Sequence, residues 1–165
     1  MTQTRNLLLL RHAKSSRDEP WLADHDRPLA PRGRKAAKRI SAHVRREQIP
    51  VALVLCSSAR RTRETLELVA PPGRSRIERE LYSATSAELL ERLRRVPDEA
   101  FVVMLIGHEP AIRDLAVRLT GPGSELADRK FPTGALATVK FTGPWSGLGP
   151  DHAELASFVT PRELA

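Results

Sequence analysis

The chain alternates short apolar runs with polar segments that favour loops. Three runs stand out, over 6–10, 51–55 and 101–106, and each ends abruptly in polar residues. A continuous apolar run of this length is typical of a strand buried on both faces of a parallel sheet. Three more strands are predicted over 75–78, 135–141 and 153–159.

Between the strands, apolar positions recur at the three- to four-residue spacing of a helix with one buried face. Ile40 and Val44 belong to the first such pattern. We expect Ser57 or Ser58 to cap the second helix, and Ser86 to begin the third. The four helices are predicted over about 34–47, from the Ser57–Ser58 pair to about 69, over 86–95 and over 111–119.

This alternation of strands and helices predicts an α/β fold. We expect a three-layer sandwich, with a mostly parallel central sheet and helices on both of its faces. The last two strands follow one another without a helix, so they are predicted to form an antiparallel edge. With 165 residues and no internal repeat, the chain is expected to fold as a single domain over 1–165.

Composition excludes a membrane protein and favours the cytoplasm. The chain is 41% hydrophobic and 28% charged, and no apolar run approaches the roughly 20 residues of a membrane span. Met1 to Asn6 holds a single Arg, and the apolar block at 7–10 is too short for a secretory signal. The lone Cys56 suits a reducing compartment and excludes a metal site of paired cysteines.

The positive net charge indicates that the protein binds anions. Lys and Arg total 27 against 20 Asp and Glu, which gives a net charge of +7, and only five of the cations are Lys. A guanidinium binds two phosphate oxygens at once. Charge alone favours a solvated basic surface or a nucleic-acid-binding module. The chain nevertheless has only four Phe, two Trp and one Tyr on which bases could stack, which argues against the nucleic-acid alternative.

Polar clusters follow three of the predicted strands. They are Arg11-His12, the stretch from Cys56 to Arg61, and Gly107-His108. The carboxyl ends of parallel strands meet at one edge of a sheet, so these clusters should form one crevice with two histidines and several arginines. Such a crevice suits an anion with three or more oxygens, and phosphate is the first candidate.

Several residues of reactive type are assigned no role. Cys56 is not the thiolate of a cysteine phosphatase, because Thr62 stands where the loop of such enzymes needs Arg; we interpret Cys56 as a small buried hydrophobe. The chain also lacks the glycine-rich nucleotide motifs. The remaining histidines are expected to be surface or hydrogen-bonded groups: His25, His43 and His152.

Four blocks in order resemble the signatures of the histidine phosphatase superfamily, which includes the phosphoglycerate mutases. The first, Leu-Arg-His-Ala-Lys-Ser-Ser at 10–16, is similar to the form found in small SixA-type phosphohistidine phosphatases. The others are Asp-His-Asp-Arg-Pro-Leu at 24–29, the Ser-x3-Arg-x3-Thr block at 57–65, and Gly-His-Glu-Pro at 107–110. The resemblance covers most of the chain and implies a phosphoglycerate mutase-like fold.

The resemblance implies a phosphotransfer centre without metal or other cofactor. In it His12 is the nucleophile, while Arg11, Arg61 and His108 hold the phosphoryl oxygens. Arg61 is assigned rather than Arg60 because it lies four residues from both ends of its block. Phosphate-binding roles are also implied for Arg27 and Ser57.

One part of the family pattern is missing, namely a recognisable general acid. Glu78 and Glu80 lie in the expected region without the expected Gly, and Glu109 is a third candidate. A protonated phosphohistidine leaves as neutral imidazole and needs little acid help, which favours that substrate. The chain has no large insertion to form a lid, which suits a phosphorylated protein. A small phosphorylated substrate, such as a nucleotide or sugar phosphate, remains the alternative. No nucleic-acid or membrane partner is expected. The sequence does not determine the oligomeric state.

Overall fold

A computed structural model describes residues 3–165. Met1 and Thr2, at the start of the segment where no secretory signal is expected, lie outside the described residues. Six strands form, as the apolar pattern predicts: β1 (Thr4–Arg11), β2 (Leu53–Ser57), β3 (Arg74–Glu78), β4 (Val102–Gly107), β5 (Leu136–Thr142) and β6 (Glu154–Val159).

Four α-helices lie between these strands. They are α1 (Pro31–Arg46), α2 (Arg60–Val69), α3 (Ser86–Leu93) and α4 (Ala111–Thr120). The first begins earlier than the spacing predicts, because Pro31 at its first position has the fixed φ that a helix start needs. The third is capped by Thr85, which forms a capping box with Glu88.

The predicted serine cap of α2 is wrong. The residue preceding this helix is Ala59, which provides no side-chain cap. The hydroxyl of Ser57 instead bonds to the ring of His108, and that of Ser58 bonds to the ring of His25. Both serines are therefore engaged with histidines of the neighbouring loops.

The sheet has the order β3-β2-β4-β1-β5-β6. The four strands from β3 to β1 pair in parallel, whereas β5 is antiparallel to β1 and β6 is antiparallel to β5. The predicted mostly parallel sheet with an antiparallel edge is thus confirmed. Strand β1 lies inside the sheet between β4 and β5, so the loop that follows β1 is flanked by the segments next to both of these strands.

The core forms two layers because successive side chains of β1 point to opposite faces of the sheet. Leu7 and Leu9 pack in the layer that contains α3 and α4, and Leu8 and Leu10 pack in the layer that contains α1 and α2. The three-layer sandwich is therefore confirmed. Cys56 is fully buried in the second layer, and burial raises the pKa of its thiol to about 12, as expected for a packing residue.

Within residues 3–165, no helix combines the length and the apolar character needed to cross a membrane.

Candidate active site

The carboxyl ends of β1, β2 and β4 bring the predicted residues to one edge of the sheet. Arg11 pairs in register with Gly107, so His12 and His108 follow at equivalent positions of adjacent parallel strands. Their ring centroids lie 5.3 Å apart. The sequence expectation that two strand-end histidines share one crevice is met by this geometry.

His12 is held as a neutral imidazole with one nitrogen available. Its Nδ1 lies 2.7 Å from the carbonyl oxygen of Ala13, and a carbonyl only accepts, so Nδ1 carries the proton and Nε2 retains its lone pair. The residue is 8% exposed. Burial lowers the pKa of His12 to about 3; the hydrogen bond to Ala13 opposes this shift, and the positive charges of Arg61 and Arg11 add to it.

His108 is fixed by Ser57. Its Nε2 lies 2.7 Å from the serine hydroxyl oxygen. Its Nδ1 is buried and has no hydrogen-bond partner among the described residues. Burial lowers the pKa of His108 to about 4, with the positive charge of Arg61 as the next cause. A buried polar atom without a partner carries a free-energy cost that a bound ligand can relieve.

The guanidinium of Arg61 is held by Asp24. It donates to the backbone oxygen of Asp24 at 2.7 Å and to its carboxylate at 2.9 Å. The same carboxylate accepts hydrogen bonds from Tyr82 and Arg27. These contacts, that of Tyr82 foremost, hold the pKa of Asp24 well below its usual range. Arg61 is thus fixed along one edge and keeps N–H groups for another anion.

The remaining predicted residues occupy different positions around this centre. Arg11 donates to the backbone oxygen of Phe131 at 2.9 Å, and its buried Nε has no partner among residues 3–165. Arg27 donates to the backbone oxygen of Ser16 and to Asp24, through which it joins the Arg61 network. Ser57 is fully buried against His108. Direct binding of phosphate by Arg27 and Ser57 stays a prediction.

Arg60 and Arg61 have contrasting environments. The Arg60 side chain is 46% exposed and pairs with Glu64 along α2, whereas the Arg61 side chain is 9% exposed at the histidine pair. The register chosen from the Ser-x3-Arg-x3-Thr block therefore places the buried arginine at the crevice.

Sequence reasoning missed Asp24 and Tyr82 as parts of this site. The Tyr82 ring packs edge-on against His108 at 5.5 Å and against His25 at 4.8 Å. The Nε2 of His25 lies 2.8 Å from the Ser58 hydroxyl, which agrees with its interpretation as a hydrogen-bonded histidine. The available signal was the density of polar residues at 24–27 and the single tyrosine of the chain.

The three candidate acids differ in their surroundings. Glu78 is paired with Arg92, with Nε to Oε1 at 2.7 Å, and this arginine lowers the pKa of the carboxyl. Glu80 is exposed. Glu109 lies in a pocket that Arg11 also lines, and burial raises the pKa of its carboxyl. Glu109 is therefore a candidate acid whose pKa is raised by its surroundings.

No three His, Cys, Asp or Glu side chains within the described part of the chain are grouped as ligands of a metal ion.

Acidification should destabilise the protein through its two buried histidines. Unfolded His titrates near pH 6.5, whereas folded His12 and His108 have pKa values of about 3 and about 4. Between about pH 6.5 and 4 the unfolded chain binds more protons, so the free energy of unfolding falls as the pH falls. Urea unfolding at about pH 7 and 5 should show this loss, and the loss should be smaller in His12→Gln. An equal loss in both proteins would show that His12 does not contribute.

Comparison with known proteins identifies the family. The sequence model of the histidine phosphatase superfamily (branch 1) matches residues 7–81. Two uncharacterized mycobacterial proteins are each 37% identical to this chain, with 93% of this chain and 100% of the relative aligned: Rv1276c of Mycobacterium tuberculosis over 159 residues and ML1117 of Mycobacterium leprae over 161.

Solved structures share the fold. SixA from Nakamurella multipartitia has a TM-score of 0.88 and 33% identity, covering 96% of this chain and 97% of its own. The protein histidine phosphatase SixA complexed with tungstate has a TM-score of 0.81 at 22% identity, covering 97% and 99%. With paired histidines and a buried arginine at the strand ends where the family motifs fall, this chain belongs to the histidine phosphatase superfamily and is a phosphatase.

Proposed function

We propose that the protein hydrolyses phosphohistidine, on a protein substrate, through a phosphorylated His12 and without a metal ion. The observation that carries the proposal is the state of His12. It is buried and neutral, and its proton is held on Nδ1 by Ala13, which leaves Nε2 as the nucleophile. A neutral imidazole nitrogen of this kind needs no activating metal.

In the first step, Nε2 of His12 attacks phosphorus and forms a P–N bond as the P–N bond of the substrate breaks. The substrate imidazole takes the electron pair and, when its other nitrogen is protonated, leaves neutral. In the second step, water attacks phosphorus, and the P–N bond breaks with its electron pair returning to Nε2 of His12. The product leaves as dihydrogen phosphate, which carries both protons of the water. Arg11, Arg61 and His108 stabilise the negative charge on the oxygens of the transferred phosphoryl group. This stabilisation is the main source of the rate enhancement in such reactions.

The carboxylates near the site support this substrate. Glu78 is ion-paired with Arg92, which lowers the pKa of its carboxyl. Glu78 is therefore poorly suited to act as a proton donor. Without a proton from Glu78, the site favours leaving groups that need no general acid. The similarity to SixA from Nakamurella multipartitia, and the tungstate complex of the protein histidine phosphatase SixA, support an oxyanion site of the same kind in this chain.

Glu109 favours a second candidate function, the hydrolysis of small phosphomonoesters. Burial raises the pKa of its carboxyl, which is the direction that a proton donor to an alkoxide leaving group requires, and it shares a pocket with Arg11. A sugar or nucleotide phosphate would depend on this acid, whereas phosphohistidine would not.

A turnover panel tests both candidates. We expect a phosphohistidine peptide to be hydrolysed faster than an aryl phosphate, a nucleotide monophosphate or a phosphoserine peptide. EDTA should leave every rate unchanged, because arginine and histidine side chains supply the positive charge. A large loss in EDTA that Mg²⁺ restores would overturn the metal-free mechanism, and a preference for the nucleotide would favour the second candidate.

A further inference from the structure

A groove beside the candidate active site is lined by basic side chains without acidic partners. Its volume is about 600 Å³. All of its cationic residues are exposed, and none of them forms an ion pair with a carboxylate of the described chain. These residues, which we name the basic groove, are Lys14, Arg32, Lys35, Arg39 and Arg162.

The lining sets this groove apart, because it brings these five cations together and includes no Asp or Glu side chain. Elsewhere some arginines are paired, such as Arg60 with Glu64. Glu163 follows Arg162 directly, yet its carboxylate contacts Arg129 at 3.7 Å and the hydroxyl of Thr160 at 2.9 Å. The like charges of the basic groove repel one another, and an anion bound between them would relieve that repulsion.

The basic groove is adjacent to the candidate active site. Lys14 follows His12 by two residues, and Pro132 lines both the basic groove and the pocket around Arg11. The backbone N–H of Gly134 donates to the carbonyl oxygens of Arg11 and His12 at 3.1 and 3.0 Å. The basic groove therefore adjoins the loop that carries His12.

The spacing of the cations suits an extended chain. Arg32, Lys35 and Arg39 recur every three to four residues along α1, so they share one face of the helix over about 10 Å. That length corresponds to about three residues of an extended peptide. No aromatic side chain lines the groove, which argues against single-stranded nucleic acid as its occupant.

We propose that the basic groove binds an acidic segment of the phosphorylated protein substrate and orients its phosphohistidine toward His12. This proposal rests on the proposed function and adds the class of partner that the enzyme recognises. The groove acts on binding rather than on the chemical step, since its cations lie outside the histidine pair.

Charge reversal on α1 tests this proposal. We would compare Lys35→Glu/Arg39→Glu with Lys38→Glu/Arg45→Glu, a matched pair on the same helix that does not line the groove. Two phosphohistidine peptides serve as substrates, one flanked by Asp and Glu and the other by Asn and Gln. We expect the groove variant to raise KM for the acidic peptide about tenfold at low salt, with kcat preserved. The control variant, and turnover of p-nitrophenyl phosphate by both variants, should change little.

Binding of the unphosphorylated acidic peptide, followed by fluorescence anisotropy, separates this proposal from the proposed function. If the peptide binds and only the groove variant loses it, while phosphohistidine is not hydrolysed, the binding of acidic segments by the groove stands, and the orienting of a phosphohistidine fails together with the substrate proposal. Equal KM values for the two peptides, or equal losses in both variants, would overturn the groove proposal alone. It would also be overturned if RNA or tripolyphosphate bound to the groove and the acidic peptide did not.

Discussion

His12→Ala should abolish both turnover and the phosphoenzyme. When the reaction of the wild-type protein is stopped early, phosphate should be found on a residue whose label is lost in acid and retained in alkali, because a P–N bond has that profile and a phosphoserine ester does not. Removing the imidazole removes the only protein atom that we propose to attack phosphorus. The measurement is the amount and acid stability of protein-bound phosphate after rapid quenching.

Two other histidine variants serve as comparisons in this experiment. His152→Ala changes an exposed histidine and should retain label and turnover. His108→Ala should lower turnover and leave the nucleophile in place, so that some label persists. A label that resists acid, or that survives His12→Ala, would mean that another residue is the nucleophile and would refute the proposed mechanism.

Arg61→Ala should reduce kcat/KM by roughly a hundredfold or more, the scale of one lost transition-state donor. Its guanidinium is buried beside both histidines, where its positive charge contributes to the low pKa of each. The measurement is steady-state turnover of an aryl phosphate, together with the dissociation constant of vanadate, which should rise in the same variant.

Arg60→Ala provides the matched control for this prediction. Arg60 is the adjacent residue with the same side chain, but it is largely exposed and its partner is Glu64. An exposed ion pair of this kind contributes little to stability, so activity should change only mildly. If the effects of the two variants were reversed, the alignment of this block with the family would be incorrect.

The strands could be predicted because they carry their own signal. Leu7–Leu10 and the β4 segment are continuous apolar runs, and the structure buries both within the sheet. Helix starts were less predictable, because a serine hydroxyl can cap a helix or bond elsewhere with little difference in local sequence. At Ser57 and Ser58 the competing partners, His108 and His25, come from distant parts of the chain.

The site was predictable to the extent that its residues follow strands. Arg11, His12 and His108 sit at strand ends, so the topology of a parallel sheet is enough to bring them together. Asp24 begins a three-residue 3-10 helix and Tyr82 directly follows another, and their contact depends on how these two connections fold over the crevice. The spacing of apolar residues predicts strands and helices, but it does not predict a contact between two loops.

The hydrogen bond between Ser57 and His108 has a consequence for how activity develops during folding. It joins residues 51 positions apart in the sequence, and β2 and β4 must already be paired before it can form. Non-local pairing of parallel strands is a slow event that closes long loops of chain. In a nascent or partly refolded chain without β4 and β5, β1 has neither of its sheet neighbours, and His12 does not yet lie beside His108. Catalysis should appear only with the completed sheet, so that recovery of turnover after denaturation reports the last step of assembly rather than the first.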